Sequence, residues 1–237
     1  MLRDLESRNS RGLIIGAGTG TGKTLAFYIP ALTHLAGLVE PNVYWTKAVA
    51  IYPWNELLKD QFSETYSEAR RLDPVLLRQG KRKIVLGAFF GLTPRNAAEL
   101  KNDSKWGRPR SCGYVCPYLR CPRCEGDLVW RIADMDRDDE TLHCLTTGCA
   151  SVVRQDEVML TRHRMAKTPP DVLFSTTEML NRRMSDKQYG HLFGIGPSVR
   201  RRPQLMLLDE VHTYGGTSGA QVRAYAANRT DCSVEVG

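Results

Sequence analysis

The 237 residues are 42% hydrophobic, enough to bury a core in one large domain or in one domain with a small insert, and neither arrangement requires disorder. Thirty-three Lys and Arg against 26 Asp and Glu leave a formal charge of +7, which suits a polyanionic partner without demanding one. No apolar run approaches a membrane span, and the opening Met1-Leu2-Arg3-Asp4-Leu5-Glu6 lacks the apolar core of a secretory signal, so a soluble, cytoplasmic protein without a membrane partner is expected.

In chain order, Leu13-Ile14-Ile15 is a short apolar run ending in a Gly-rich turn, and Lys23 to about Leu38 reads as a helix. Ala48–Tyr52 is a second buried strand, stopped by Pro53. Asn55 to Leu72 has helical spacing in Leu57, Leu58, Phe62, Tyr66 and Ala69. Ile84–Ala88, Asp171–Phe174 and Gln204–Leu208 supply three further strands. Apolar strands without alternation, separated by helical stretches, imply an α/β fold with a mostly parallel sheet covered on both faces. Between Ser104 and about Glu157 this pattern breaks, and cysteines and an acidic run from Asp134 to Glu140 appear. The expected organisation is therefore a first part of the lobe at 1–103, a cysteine-rich insertion at 104–157, and a second part at 158–237.

Ala17-Gly18-Thr19-Gly20-Thr21-Gly22-Lys23-Thr24 joins the first strand to the first helix and has the spacing of a P-loop, with Ala in place of the first Gly. The glycines let backbone N–H groups face phosphate oxygens, and the helix start adds its positive dipole end. Lys23 would reach the β- and γ-phosphates of ATP, and the Thr24 hydroxyl would bind Mg2+. Asp209 and Glu210 directly follow the fifth apolar strand, so both carboxylates emerge at the carboxyl edge of the sheet, where open α/β folds bind ligands. Asp209 can hold Mg2+ through coordinated water, and Glu210 can polarise the water that attacks the γ-phosphate.

Five of the seven cysteines fall between Cys112 and Cys144, with Cys149 just beyond, a clustering that points to metal rather than disulfides in a reducing compartment. Cys121-Pro122-Arg123-Cys124-Glu125-Gly126 has the form of a zinc knuckle, and Cys144 with Cys149 supplies a second pair, completing a closed Zn2+ site of four thiolates. Cys112 and Cys116 could instead replace the second pair. His143 reads as a bystander, and Cys232 lies too far along the chain to assign. An insert this small is expected to need its metal to fold. Lys81-Arg82-Lys83, Arg108 with Arg110, Arg182-Arg183 and Arg200-Arg201-Arg202 are the positive clusters, each either a solvated face or a contact to a phosphate backbone.

AGTGTGKT together with DEVH, Asp209 to His212, resembles motifs I and II of superfamily 2 DEAD/DEAH-type helicases and translocases. Between them, Pro53 to Gln61 (PWNELLKDQ) resembles motif Ia, Gly91-Leu92-Thr93-Pro94-Arg95 resembles the turn after the next strand, and Ser175-Thr176-Thr177-Glu178-Met179-Leu180 resembles motif Ib. The stretch from Asp209 to Val222 is similar to large bacterial helicases of the Mrf-like and phage-defence kind, including the DISARM-type and DpdJ helicases. The resemblance implies a RecA-like P-loop NTPase lobe with a small four-cysteine, zinc-ribbon-like insertion. It implies ATP and Mg2+ as cofactors, a nucleic-acid partner with DNA preferred over RNA, and defence or DNA-modification subunits as companions. In this family the Ia-like, turn and Ib-like segments touch the backbone of the tracked strand, and His212 couples the nucleotide site to motif III.

Some helicases of this superfamily carry an iron–sulfur cluster in a similar insertion, an alternative that the C-P-x-C knuckle disfavours. The sequence departs from the family at two places. Residues 1 to 16 contain no Gln to read adenine, and no Ser-Ala-Thr motif III or second RecA lobe follows before Gly237, which suggests a fragment or truncated reading frame. That lobe supplies arginine fingers in the family, so efficient hydrolysis is expected to require it. The other readings are a non-catalytic nucleic-acid-binding or assembly module with a nucleotide-sensing site, and a P-loop ATPase of another type.

Overall fold

The computed structural model describes residues 12–14, 23–102, 105–108, 111–183, 186–196, 199–210, 213, 219–220, 222, 224–225 and 233–236. The lobe is built on a seven-stranded sheet, whose strands in chain order are β1 (Gly12–Ile14), β2 (Ala48–Tyr52), β3 (Leu86–Phe89), β8 (Val158–Met159), β9 (Val172–Thr176), β10 (Leu205–Leu208) and β11 (Ser233–Val236). They lie in the spatial order β1-β11-β10-β2-β9-β3-β8, and every pairing is parallel.

Parallel strands need crossovers, and two long helices supply the first of them. Helix α1 (Lys23–Leu38) and helix α2 (Asn55–Arg78) pack on one face through Phe27, Tyr28, Ala31, Leu32, Leu35, Leu58, Phe62 and Tyr66. The alternation of β2 divides the cores: Ala48, Ala50 and Tyr52 face α1 and α2, while Val49 and Ile51 face the second layer. That second layer contains α5 (Arg162–Lys167), α6 (Thr177–Arg183) and a 3-10 turn at Gly190–Phe193. Gly87 on β3 permits its close approach, since a Cβ there would stand 2.7 Å from Met165 Sδ and 2.8 Å from Pro170 Cγ.

Several boundaries differ from the sequence expectation for local reasons. Helix α2 runs past Leu72 to Arg78 despite Pro74, because Leu76 is buried and continues the apolar stripe of Phe62, Tyr66 and Ala69. Strand β3 begins at Leu86 rather than Ile84, because the Val85 N–H donates to the Asp171 carboxylate at 2.8 Å. Strands β8 and β11 add to the five expected strands; β11 separates β1 from β10.

The insertion follows α3 (Ala97–Asn102) and forms a four-stranded antiparallel ribbon in the order β4-β5-β6-β7, from β4 (Gly113–Arg120), β5 (Asp127–Arg131), β6 (Leu142–Cys144) and β7 (Val152–Val153), with a short α4 (Ile132–Met135) after β5. It is not a free-standing module. Tyr118 on β4 packs edge-on against Phe62 of α2 at 5.4 Å and Phe90 at 5.5 Å, so ribbon and lobe share one hydrophobic core. This shared apolar core holds the ribbon against the lobe beside any contribution from a metal.

Candidate nucleotide and metal sites

Because all seven strands of the main sheet run the same way, their carboxyl ends open on one edge. That edge gathers the end of β1 at Ile14, Pro53 after β2, Gly91–Arg95 after β3, Thr177 after β9, and Asp209-Glu210 after β10. Strand β11 holds β1 and β10 two spacings apart, about 9–10 Å. Helix α1 begins at Lys23, so Lys23 and Thr24 sit in the first turn at this edge. Ala17, Gly18, Thr19, Gly20, Thr21, Gly22, His212 and Cys232 lie outside the described residues, as do the side chains of Lys23 and Thr24.

Glu210 has a φ of 52°, the left-handed region that non-Gly residues seldom occupy. Its neighbours hold it there. The Glu210 N–H donates to Asp209 Oδ1 at 2.8 Å, and its carbonyl accepts from Thr213 N–H at 2.8 Å and Thr213 Oγ1 at 2.7 Å. A tight turn of this kind re-aims the chain directly after β10, and such conformations concentrate at functional sites.

Beneath the edge lies a buried aromatic and hydroxyl cluster. Tyr28 of α1 and Tyr52 at the end of β2 share a hydrogen bond between hydroxyls, and both rings stack against Phe174 of β9, at 6.0 and 5.9 Å. Burial raises the Tyr28 pKa well above the ordinary tyrosine range, with hydrogen bonds from Tyr52 and Thr65 opposing it and the charge of Asp209 adding to it. The cluster thus links the P-loop helix, the Ia-like segment and the Ib-like segment. Sequence reasoning did not single out these tyrosines, since a Tyr on an apolar helical face reads as ordinary core.

Cys121, Cys124, Cys144 and Cys149 converge so that their sulfurs all lie within 4.8 Å of one another. Cys121 Sγ is 3.7 Å from Cys149 Sγ, and Cys124 Sγ is 3.5 Å from Cys144 Sγ. A tetrahedral ion with about 2.3 Å bonds to sulfur sets its ligands about 3.8 Å apart, so these residues fit a four-thiolate metal ion. Two turns from different hairpins form the site. The first closes through Glu125 N–H to Cys121 O at 2.8 Å and Cys121 N–H to Gly126 O at 2.9 Å. Gly126 is required there, because a Cβ would stand 2.1 Å from Thr146 Oγ1. The second turn closes through Cys149 N–H to Thr146 O at 3.0 Å, with Gly148 at φ 81°.

Hydrogen bonds from the Thr146 hydroxyl and the Gly126 N–H favour the Cys124 thiolate, while the neighbouring sulfurs of Cys144, Cys124 and Cys121 hold the Cys149 thiol up. Cys112 is exposed and Cys116 is buried on β4, and neither belongs to this group among the described residues. Burial pushes the Cys116 thiol up to about 12, as expected of a core cysteine. His143 bonds Asp134 Oδ2 at 2.9 Å, consistent with its reading as a bystander.

The basic clusters are largely occupied. Lys81 Nζ donates to the Ala36 and Gly37 carbonyls at the end of α1, at 2.7 and 3.2 Å. Arg82 and Lys47 both bind the Asp171 carboxylate, with Lys47 Nζ at 2.6 Å and both side chains of that pair fully buried. Lys83 pairs with Glu157 at 2.6 Å and Asp156 at 3.2 Å. Arg201 pairs with Glu40 at 2.7 Å, Arg182 with Glu178 at 2.9 Å, and Arg183 with Asp186 at 2.6 Å. Arg108 lies over the Tyr114 ring, and Arg110 is outside the described residues. The clusters at 81–83 and 200–202 precede β3 and β10, so they stand at the amino edge, opposite the motif-bearing edge, where Lys81, Arg82, Lys83 and Arg201 make scaffold contacts.

Parallel strands, long covering helices, a strand-to-helix junction at Lys23 and an acidic pair after β10 define an α/β RecA-like lobe with a four-cysteine ribbon insertion. Residues 3–85 match the family model described as DEAD/DEAH box helicase. The chain is also 23% identical over 261 aligned positions to the Druantia protein DruE of Escherichia coli (strain UMEA 4076-1), covering 93% of this chain and 14% of that protein. The chain therefore spans a small part of that relative's length. Among the described residues no helix is long and apolar enough to cross a membrane.

Proposed function

We propose that this chain is the ATP-binding lobe of an ATP-dependent helicase or translocase acting on nucleic acid, with DNA preferred. The observation that carries the reading is the convergence of five separate strand ends on one carboxyl edge, with the nucleotide-type segments after β1 and β10 and the strand-tracking segments after β2, β9 and β3. Backbone N–H groups of Ala17 to Gly22 cradle the phosphates, Lys23 neutralises charge on the β- and γ-phosphates, and Thr24 and Asp209 hold Mg2+. Glu210 polarises the attacking water. Binding energy in such a site stabilises the transferring phosphoryl group, so removing the Lys23 ammonium disables both binding and turnover.

A second RecA-type lobe closes over the γ-phosphate in this proposal, and the two-lobe hinge steps along a strand. Cys121, Cys124, Cys144 and Cys149 hold Zn2+ in a structural role. The resemblance of Asp209–Val222 to phage-defence helicases suggests a cytoplasmic defence or DNA-modification assembly as the setting.

Calorimetry with a non-hydrolysable ATP analogue and Mg2+ tests the nucleotide site. The unmutated chain is expected to bind and Lys23→Ala to lose binding, while a second titration with single-stranded DNA reads coupling between the sites. A folded chain that binds DNA but no nucleotide would move a non-catalytic binding module ahead.

A further inference from the structure

We infer that the cysteine ribbon acts as a brace for the Gly91–Arg95 loop, holding the strand-tracking edge in shape from behind through Trp106, Glu140 and Thr161. The inference rests on the proposed function for what the loop contacts, but the brace itself is a matter of geometry.

The carbonyls along this loop are bound from behind. Leu92 O accepts from Trp106 Nε1 at 2.9 Å, and Phe90 O accepts from Arg162 Nη2 at 3.0 Å. Pro94 O accepts from Arg162 N–H and Arg95 O from His163 N–H, both at 3.0 Å. The loop therefore hangs from Trp106 and from the first two residues of α5. Both supports lead to the ribbon. The Trp106 ring is 2% exposed and packs against Tyr118 of β4 at 5.7 Å and Trp130 of β5 at 6.2 Å.

The start of α5 is set by Thr161, whose Oγ1 accepts from Arg164 N–H at 3.2 Å and donates to Glu140 Oε1 at 2.5 Å. Leu160 N–H donates to Glu140 Oε2 at 2.6 Å. Glu140 belongs to the ribbon turn between α4 and β6, which is fixed in turn by Trp130 Nε1 donating to Asp139 O at 2.8 Å. A carboxylate only 3% exposed is costly to bury, and here its two oxygens each hold one group at the entry to α5. Neither contact serves the four-cysteine site. Their common product is the position of residues 90–95.

Thr161→Val keeps the side-chain shape and deletes the hydroxyl, whereas Thr161→Ser restores it. In the full chain, Val is expected to speed amide exchange at Thr93, Arg162 and His163 and to weaken binding of a fluorescent single-stranded oligonucleotide about tenfold, with ATP-analogue affinity unchanged. Ser is expected to restore both. Should Val prevent folding, Glu140→Gln is judged by the same readouts. Unchanged exchange in the variant would overturn the brace, as would an equal loss of oligonucleotide and ATP-analogue affinity. Faster exchange with unchanged oligonucleotide affinity would overturn its link to nucleic acid. An unmutated chain that binds no oligonucleotide would sink the nucleic-acid reading instead, leaving exchange to decide the brace alone.

Discussion

The hydroxyls of Tyr28 and Tyr52 hydrogen-bond to each other inside the lobe, one on the helix that begins at Lys23 and the other on the residue before Pro53. This contact ties the P-loop helix to the Ia-like segment across the interior. Tyr28→Phe is expected to lower stability by about 0.5–1.5 kcal/mol, the typical net value of one hydrogen bond. Urea unfolding reads that change. A double cycle with Tyr52→Phe should show clear non-additivity, since each single variant removes the same bond.

Asp171 accepts from Lys47, Arg82 and the Val85 N–H with its carboxylate buried at the amino ends of β2, β3 and β9. Asp171→Ala leaves a buried ammonium uncompensated and is expected to cost about 3–5 kcal/mol, enough to unfold a marginal lobe. Expression and thermal unfolding of this variant check the expectation. Arg201→Ala, which removes an exposed pair with Glu40, is expected to change stability by less than about 1 kcal/mol.

Chelation should act on the ribbon before the lobe. Cys124→Ser or treatment with a strong chelator is expected to lower the melting temperature and to quicken amide exchange around residues 121–126 and 144–149, with exchange in β2 and β9 little changed. Elemental analysis of the purified chain should find about one Zn2+ per molecule, and the Ser variant less. Stoichiometric metal in the Ser variant would count against the four-thiolate site.

Burial of Glu140 raises its pKa from 4.5 to about 7, against the opposing hydrogen bonds from Thr161 and Leu160 and the charge of Arg164. The folded state therefore holds a proton that the unfolded chain has released across that window. Stability from this group is fully present below about 4.5 and is lost as pH rises through about 7. Urea midpoints between pH 5 and 8 should fall with rising pH in the unmutated chain, and Glu140→Gln should flatten that slope.

The sheet was legible from sequence where a strand is wholly buried, as in β2, β3, β9 and β10, because such apolar runs cannot sit on a half-solvated sheet. Strands β8 and β11 were not legible: Val158-Met159 is too short, and Ser233–Val236 carries a charge in its middle. Spatial order is set by crossovers that no local pattern records. The Cys121–Gly126 turn was readable because its hydrogen bonds close within six residues. Glu140 was not, since in sequence it is one more acid in an acidic run and only the fold brings Thr161 to it. The Lys81–Lys83 cluster was ambiguous for the same reason, its partners Asp171 and Glu157 being distant along the chain.

Strand β11 pairs Gly12 with Val234 on one side and Leu205 with Ser233 on the other, so β1 is joined to the sheet by a strand from the far end of the sequence. Closing so long a span is entropically slow, while β2, β9 and β3 close shorter ones. The half of the sheet that presents Lys23 should consequently be the last to assemble and the first to open in native-state fluctuations. On the proposed function, ATP held between the segments after β1 and β10 acts as a staple on the least cooperative part of the lobe and is expected to raise its protection far more than that of the ribbon side.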